Sequence, residues 1–547
     1  MAAVYRYLHE NGCRWPRPGV EGELIPMKTC GDMEYRHMAS CRHRGLCIEG
    51  AVSYQNMIEN IDWAPKVGYN SYMLEFLVPY MFFDNWYEHR NNNFLAPEKV
   101  SVDDVKQRCA WLETEIKKRG IAYHAVGHAW NCEPLGITGV GWIPKEEEMS
   151  DDVRECFAMI DGKRGLFQGI ALNTNLCYSN TAVRRKMIDF IVDYARRNIH
   201  VDYLHIWLAD GKNNQCECDE CRKMIPADYY IILLNELDRE LTAHNIDMKM
   251  VFVVYVDLFW PPKTQVFDNP DRFSLLFAPI TRTYSKPYTS EPHGAGITEY
   301  DRNRLVFPES LAENLNYLRE WKKMFKGDTF CYEYYFWVDH CYDPGYYDIA
   351  KIILKDIKCL DELGIDGLIS DQSQRVYMPT GFPMYVMGQA MYNNSLSFDE
   401  LARDFFATFG EDGEKCREYM AELSRLFNPV YLRGEEDNGG LSNAFISKEA
   451  AKRLENVRPL VDSFRPVIRK NMKNGCRCIA KSWKYLEFHA GMCERLADIY
   501  LERALGRDRE ARKLWANMHA WLSAHENDVQ DAFDIYGYTN AMNSRLQ

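Results

Sequence analysis

From Arg44 onward, short apolar runs alternate with segments of helical period. The runs Arg44–Glu49, Tyr69–Leu77, Ala122–Trp130, Tyr203–Leu208, Met248–Val256, Phe273–Ile280, Thr329–Phe336 and Gly367–Asp371 are rich in β-branched and aromatic residues and predict eight strands. Helical patterns fall between most of them. Val100–Lys118 has Ser101 as a candidate N-cap and Gly120 just past its end. Thr181–Arg197 places Val183, Met187, Ile188, Ile191 and Tyr194 on one face. Near-continuous apolar strands separated by helices imply an α/β fold with a parallel sheet buried on both faces. Eight such units predict a closed (β/α)8 TIM barrel over residues 41–396. An open doubly wound sheet is the alternative, but it would be expected to carry a Gly-rich phosphate turn, and no G-x-G-x-x-G occurs. From about Ser397 strand signals vanish. Long helical stretches (398–426, 448–472, 476–505 and 507–534) predict a C-terminal α-helical domain over 397–547.

Composition narrows the function. A net charge of −13 without a basic cluster argues against nucleic acid. No apolar run reaches the ~18 residues of a membrane span, and the N-terminus lacks the apolar core of a signal peptide. The expectation is a cytoplasmic protein with no membrane partner, unless residues precede Met1. The 34 Tyr, 26 Phe and 13 Trp suit a protein that stacks sugar faces on rings, although a large core uses the same residues.

Acids at strand ends are the first candidates for chemistry, because a TIM barrel places its active site at the carboxyl ends of its strands. Glu49, Glu75, Asp210, Glu333 and Asp371 lie at or near such ends. Any one of them alone is more often a cap or an ion-pair partner. Hydrolysis of a glycoside needs two carboxyl groups, or one plus an internal nucleophile. His128 and Trp130 close the third strand, with Glu133 following. Tyr255 and Asp257 end the fifth, and Tyr334, Tyr335 and Trp337 the seventh. No G-x-S-x-G, P-loop or H-E-x-x-H is present, which weighs against esterase, kinase and zinc-protease chemistry.

Asp210-Gly211 ends the fourth strand and is followed by Cys216, Cys218 and Cys221 at C-x-C-x2-C spacing. Three thiolates need a fourth to close a tetrahedral zinc site, and Cys177, ahead of the helix leading into that strand, would lie on the same face. One structural zinc is the expectation; free thiols in a tight turn are the alternative. No His-rich set accompanies the cysteines, so no catalytic cofactor is expected, and no thioredoxin-like context supports a redox role.

Together these residues carry a resemblance. Cys13-Arg-Trp followed by Gly22-Glu-Leu-Ile-Pro26 resembles the end of an N-terminal α/β domain found ahead of carbohydrate-active barrels such as α-glucuronidase-like enzymes. On that likeness residues 1–40 are the remnant of such a domain plus a linker, with Ala2–Glu10 its last helix. Arg44–Gly50, Gly127–Trp130 with Glu133–Gly136, and the Asp210–Cys221 stretch resemble bacterial proteins of domain of unknown function 4838, part of which forms glycoside hydrolase family 163. The resemblance implies an endo-β-N-acetylglucosaminidase that cleaves GlcNAc-β1,4-GlcNAc in the core of a glycoprotein N-glycan. It implies retention through the substrate's own 2-acetamido group. One carboxylate then orients the acetamide and another protonates the leaving oxygen. Asp210 is expected as the orienter and Glu333 as the acid, its pKa raised by burial against Tyr334 and Trp337. Glu75 and Glu133 stand in reserve. His128, Trp130, Asn173, Trp207, Tyr255, Tyr335, Trp337 and Asp371 are expected to contact the oligosaccharide. An α-glucuronidase-like or other exo-glycosidase would have a pocket closed at one end. A non-catalytic carbohydrate-binding protein would leave Asp210 and Glu333 on different surfaces.

Overall fold

A computed structural model describes residues 2–27, 30–144, 148–289, 296–437 and 443–546. Eight parallel strands close a barrel: β1 (His43–Glu49), β2 (Ser71–Glu75), β3 (Ala122–Gly127), β4 (Tyr203–Ile206), β5 (Lys249–Val254), β6 (Phe273–Phe277), β7 (Asp328–Phe336) and β8 (Gly367–Ser373). Neighbours around the ring follow chain order, and β8 closes on β1 with Cys47 opposite Asp371. Every pairing in the ring is parallel, as the (β/α)8 reading requires. The predicted strands begin within two residues of the observed ones, but several end earlier, where the chain turns into the mouth loops.

Local chemistry sets the helices. Ser53, Ser101, Ser310 and Ser397 each cap a helix through a reciprocal capping box. Each cap contributes about 1 kcal/mol. Thr181–Arg197 buries the face predicted for it, apart from Tyr194, which is half-buried. No α-helix links β5 to β6; two short 3-10 turns do so instead. The expected 398–426 helix breaks at Gly410 (φ 77°, ψ −149°) into Phe398–Phe406 and Gly413–Phe427. The 448–472 stretch divides into Lys448–Leu454 and Val457–Asn471.

The barrel floor is a layer of packed rings. His43 stacks on Phe330 at 4.2 Å, and His124 Nδ1 lies 2.9 Å from His205 Nε2. Burial pushes His205 down to about 3 and His124 well below the ordinary histidine range.

After the long helix Arg477–Ala504 and its partner Asp508–Ala524, the chain returns to the barrel mouth. Asp534 accepts hydrogen bonds from the Ala51 N–H (2.9 Å) and the Ser373 hydroxyl (2.7 Å), and pairs with the buried Arg375 guanidinium at 3.0 Å. This anchor seats the terminal helix Ile535–Leu546 beside the mouth. No helix among the described residues is long and apolar enough to cross a membrane.

Candidate active site at the barrel mouth

A cavity of about 370 Å³ opens at the carboxyl ends of the strands, and all eight strands or their following loops reach it. Five carboxyl side chains line it: Glu49, Glu75, Asp210, Asp257 and Asp371. The rings of His128, Trp142, Trp207, Tyr255, Tyr332, Tyr334 and Trp337 form much of the remaining wall, and Tyr536 and Asn540 of the terminal helix complete it.

The parity of the strands decides who faces inward. On β7, Tyr332 and Tyr334 line the cavity, so Glu333 between them points out of the barrel. On β8 the same alternation brings Asp371 and Ser373 to the cavity. Gly127 at the end of β3 has φ +86°, and a Cβ there would meet the Trp207 indole at 2.8 Å. The glycine therefore lets Trp207 settle over the strand end. Gly211 (φ +81°) turns the chain after Asp210.

Asp210 is half-buried, and two donors converge on its Oδ1: the Tyr255 hydroxyl at 3.0 Å and the Gly211 N–H at 2.7 Å. These two donors fix the orientation of the side chain. Glu75 is buried against His128, whose Nε2 lies 3.3 Å from Oε1. Its other oxygen accepts from the Tyr332 hydroxyl (3.4 Å) and the Cys47 thiol (3.6 Å). Single ligand atoms of Cys47, Glu75 and Asp371 lie within 4.8 Å of one another.

Burial, then the charge of Glu49, raises Glu75 well above the carboxylate range. Burial, then the charge of Glu75, does the same to Asp371; burial and Asp371 raise Glu49. Burial pushes Asp257 up to about 6 and His128 below the ordinary histidine range. The mouth thus crowds carboxyl groups whose proton affinity is raised, the direction that suits proton donation. His128 Nδ1, Trp207 Nε1 and Asp371 Oδ1 are buried and have no hydrogen-bond partner among the described residues.

Several expectations are corrected. Glu333 does not share a cavity with Asp210. It is fully buried on the outer face of β7, where both carboxylate oxygens lie 3.2 Å from Arg282 Nη1. The Tyr284 and Tyr288 hydroxyls also donate to it. Arg282 pairs in turn with Asp356 at 2.9 Å. Tyr335 faces the same way, its hydroxyl donating to Asp356 at 2.6 Å. Trp130 is fully buried behind β4, its indole N–H donating to the His205 carbonyl. Glu133 accepts from the Gly139 N–H at 2.7 Å, and the Asn173 carbonyl accepts from the Asn214 amide; neither residue lines the cavity. Glu75, His128, Trp207, Asp210, Tyr255, Trp337 and Asp371 do line it. Sequence reasoning missed Trp142, Gln215, Tyr332, Tyr536 and Asn540 as wall residues. The period-two rule could have found Tyr332, since it shares a face with Tyr334. Nothing local marks Tyr536 or Asn540, which arrive only through the Asp534 anchor.

The family described as "Domain of unknown function (DUF4838)" matches residues 86–421. The chain belongs to this family. The DUF4838 segment contains His128, Asp210, Tyr255, Asp371 and the four cysteines, whereas Glu49, Glu75 and Tyr536 lie outside it. A comparison with curated proteins found no match. Among solved structures the chain is similar to the Thermobaculum terrenum O-GlcNAc hydrolase (TM-score 0.41, 12% identity, 93% of this chain and 94% of that one). It is also similar to CpGH89 from Clostridium perfringens, in complex with its substrate GlcNAc-alpha-1,4-galactose (0.43, 11%, 94% and 58%). A third is an alpha-amylase from Malbranchea cinnamomea (0.30, 12%, 70% and 72%). Similarities this distant do not speak to the reaction.

Cys216, Cys218 and Cys221 on the loop after β4 meet Cys177 from the connection between β3 and β4, and the four thiols converge within 4.8 Å of one another. The set offers four sulfur ligands, and it stands apart from the cavity.

Proposed function

We propose that this DUF4838 protein is a glycoside hydrolase, and that its reaction is endo-β-N-acetylglucosaminidase cleavage of an N-glycan core. The observation that carries the reading is the pairing across the mouth of two acids held differently, Asp210 with two donors on one oxygen and Asp371 with a buried oxygen that has none. Asp210 follows β4, and Asp371 lies on β8, the strand diametrically opposite in the ring. With Glu333 turned outward, Asp371 takes the acid role in this reading. It is buried, its pKa is raised well above the carboxylate range, and its Oδ1 has no hydrogen-bond partner among the described residues. Glu75 is tied by three neighbours and raises the proton affinity of Asp371.

In the first half of the reaction the 2-acetamido oxygen attacks the anomeric carbon. Asp371 gives its proton to the departing glycosidic oxygen, and Asp210 holds the acetamide N–H in line. In the second half the Asp371 carboxylate takes a proton from water, which opens the cyclic intermediate with net retention. The unpartnered polar atoms of His128 and Trp207 suit the hydroxyls of a sugar, and Trp337, 42% exposed at the lip, suits stacking.

The test is hydrolysis of a defined biantennary N-glycopeptide, followed by mass. Asp210→Asn and Asp371→Asn should each lower turnover about 10²–10⁴-fold with folding intact. Full activity in either variant removes that residue from the mechanism. A second reading, an exo-acting glycosidase, is favoured by the cavity's volume, near the lower end of the range for small-molecule sites. Release of a single terminal sugar instead of an intact glycan would establish it.

A further inference from the structure

We propose that Cys177, Cys216, Cys218 and Cys221 form a closed zinc site that clamps the loop carrying Asp210. The Cys177 sulfur lies 3.7 Å from that of Cys218 and 3.9 Å from that of Cys221. Zinc–thiolate bonds of about 2.3 Å in a tetrahedron put the sulfurs about 3.8 Å apart. A disulfide would bring two of them to about 2.0 Å. The cysteines therefore sit at the spacing of ligands.

The surroundings match the charge such a site would carry. Four thiolates around a zinc ion leave a net charge of about −2. The Met159 N–H points at the Cys216 sulfur (3.3 Å), and the Cys221 N–H at the Cys218 sulfur (3.5 Å). Arg164 places one guanidinium nitrogen 3.9 Å from Cys216 and the other 3.9 Å from Cys177. Donors of this kind fix thiolate ligands and offset their charge.

The loop also needs such a fastening. Among the described residues, a small buried cluster separate from the main core joins the two segments: Ala158, Cys177, Cys216 and Cys221, with Met159, Ile160 and Cys218 packed on it. Three of the four buried members are cysteines of the proposed site. Asn175, two residues before Cys177, accepts from the Ala209 N–H (3.2 Å) and donates to Asn214 (2.8 Å). The Asp210 N–H donates to the Leu172 carbonyl at 2.9 Å. The clamp thus ties both segments that hold Asp210. Four protein ligands leave no open coordination position, so the metal positions the loop and takes no part in bond cleavage. Thiolates exclude magnesium and calcium.

Metal analysis of the full chain, purified under reducing conditions without chelator, should find about one zinc per molecule. Mercurial titration of the thiols should release it to a chromophoric indicator. Cobalt exchange should give the visible spectrum of a tetrahedral tetrathiolate. Cys216→Ser should lose the zinc, whereas Asp210→Asn should keep all of it, so the metal site stands or falls independently of the glycosidase reading. If Cys216→Ser does not fold, the cobalt spectrum of the unaltered chain decides. Zinc at background with no thiolate–cobalt spectrum, or iron in its place, overturns the proposal.

Discussion

Glu333→Gln separates a structural acid from a chemical one. Its Oε1 faces Arg282 and the Tyr288 hydroxyl, and its Oε2 faces Arg282 and the Tyr284 hydroxyl. Whichever way a glutamine amide turns, its NH2 meets the guanidinium and a tyrosine hydroxyl. The Arg282 charge then loses one of its two counter-ions in a site with no solvent access. Removing one partner of a buried pair costs about 3–5 kcal/mol. Arg282 keeps Asp356 at 2.9 Å, so the lower end applies. That is roughly a hundredfold in the folding equilibrium. Urea unfolding followed by near-UV circular dichroism should show the midpoint falling clearly below the parent's. Turnover of the fraction that remains folded should stay within about threefold, because Glu333 does not line the cavity. The opposite result, an unshifted midpoint with turnover lost by orders of magnitude, would refute the assignment and return Glu333 to the chemistry.

Other perturbations follow the same logic. Asp371 has a folded pKa well above its unfolded value, so the native state holds a proton that the unfolded chain gives up above about pH 4. Its contribution therefore makes stability fall as pH rises from there toward the raised value. Asp371→Asn should remove that slope and be more stable than the parent at pH 7 by about 1 kcal/mol while losing turnover. Thermal midpoints from pH 4 to 8 check this, and parallel pH curves for variant and parent would count against it. Tyr255→Phe deletes the hydroxyl that holds Asp210 at 3.0 Å, and should lower kcat/KM by about ten- to a hundredfold with the fold intact. Unchanged steady-state kinetics would show that this hydrogen bond does not position Asp210. Asp534→Ala leaves the buried Arg375 charge unpaired and should destabilise the chain by about 3–5 kcal/mol. Proteolysis should then cut first before the Ile535–Leu546 helix, and resistance equal to the parent's would dismiss the anchor.

The barrel was legible because its signals are local and repeated: apolar strand runs, serine caps and helical faces recur unit by unit. Asp210 was legible because an acid followed by glycine ends a strand. The error at Glu333 came from placing it at the mouth together with Tyr334. Adjacent residues of one strand cannot both face inward, and the Phe330–Tyr332–Tyr334 series already defined the inner face. Asp257 and Glu49 were visible as strand-end acids but could not be ranked, because burial, not spacing, sets their protonation. The Asp534 anchor was illegible, since it joins residues far apart in the chain whose types carry no pairing rule.

How fully an acid is satisfied offers a way to rank those that remain. Glu333 has a hydrogen-bond donor for every direction it offers, and the protein gives it nothing further to do. The mouth acids are held differently. Asp371 keeps an unpartnered oxygen, and Glu75, Glu49 and Asp371 raise one another's pKa. The backbone beside them is strained as well. Phe76, Ala129 and Val256, the residues immediately after Glu75, His128 and Tyr255, all have positive φ. Such conformations cost about 1–3 kcal/mol each in a non-glycine residue. Crowded carboxyls, stranded polar atoms and left-handed backbone each oppose folding, yet here they concentrate around one cavity. A ligand with several hydroxyls and an oxygen that accepts a proton would relieve the first two, which is why Asp371 and Asp210, rather than the well-satisfied Glu333, are the acids to test first.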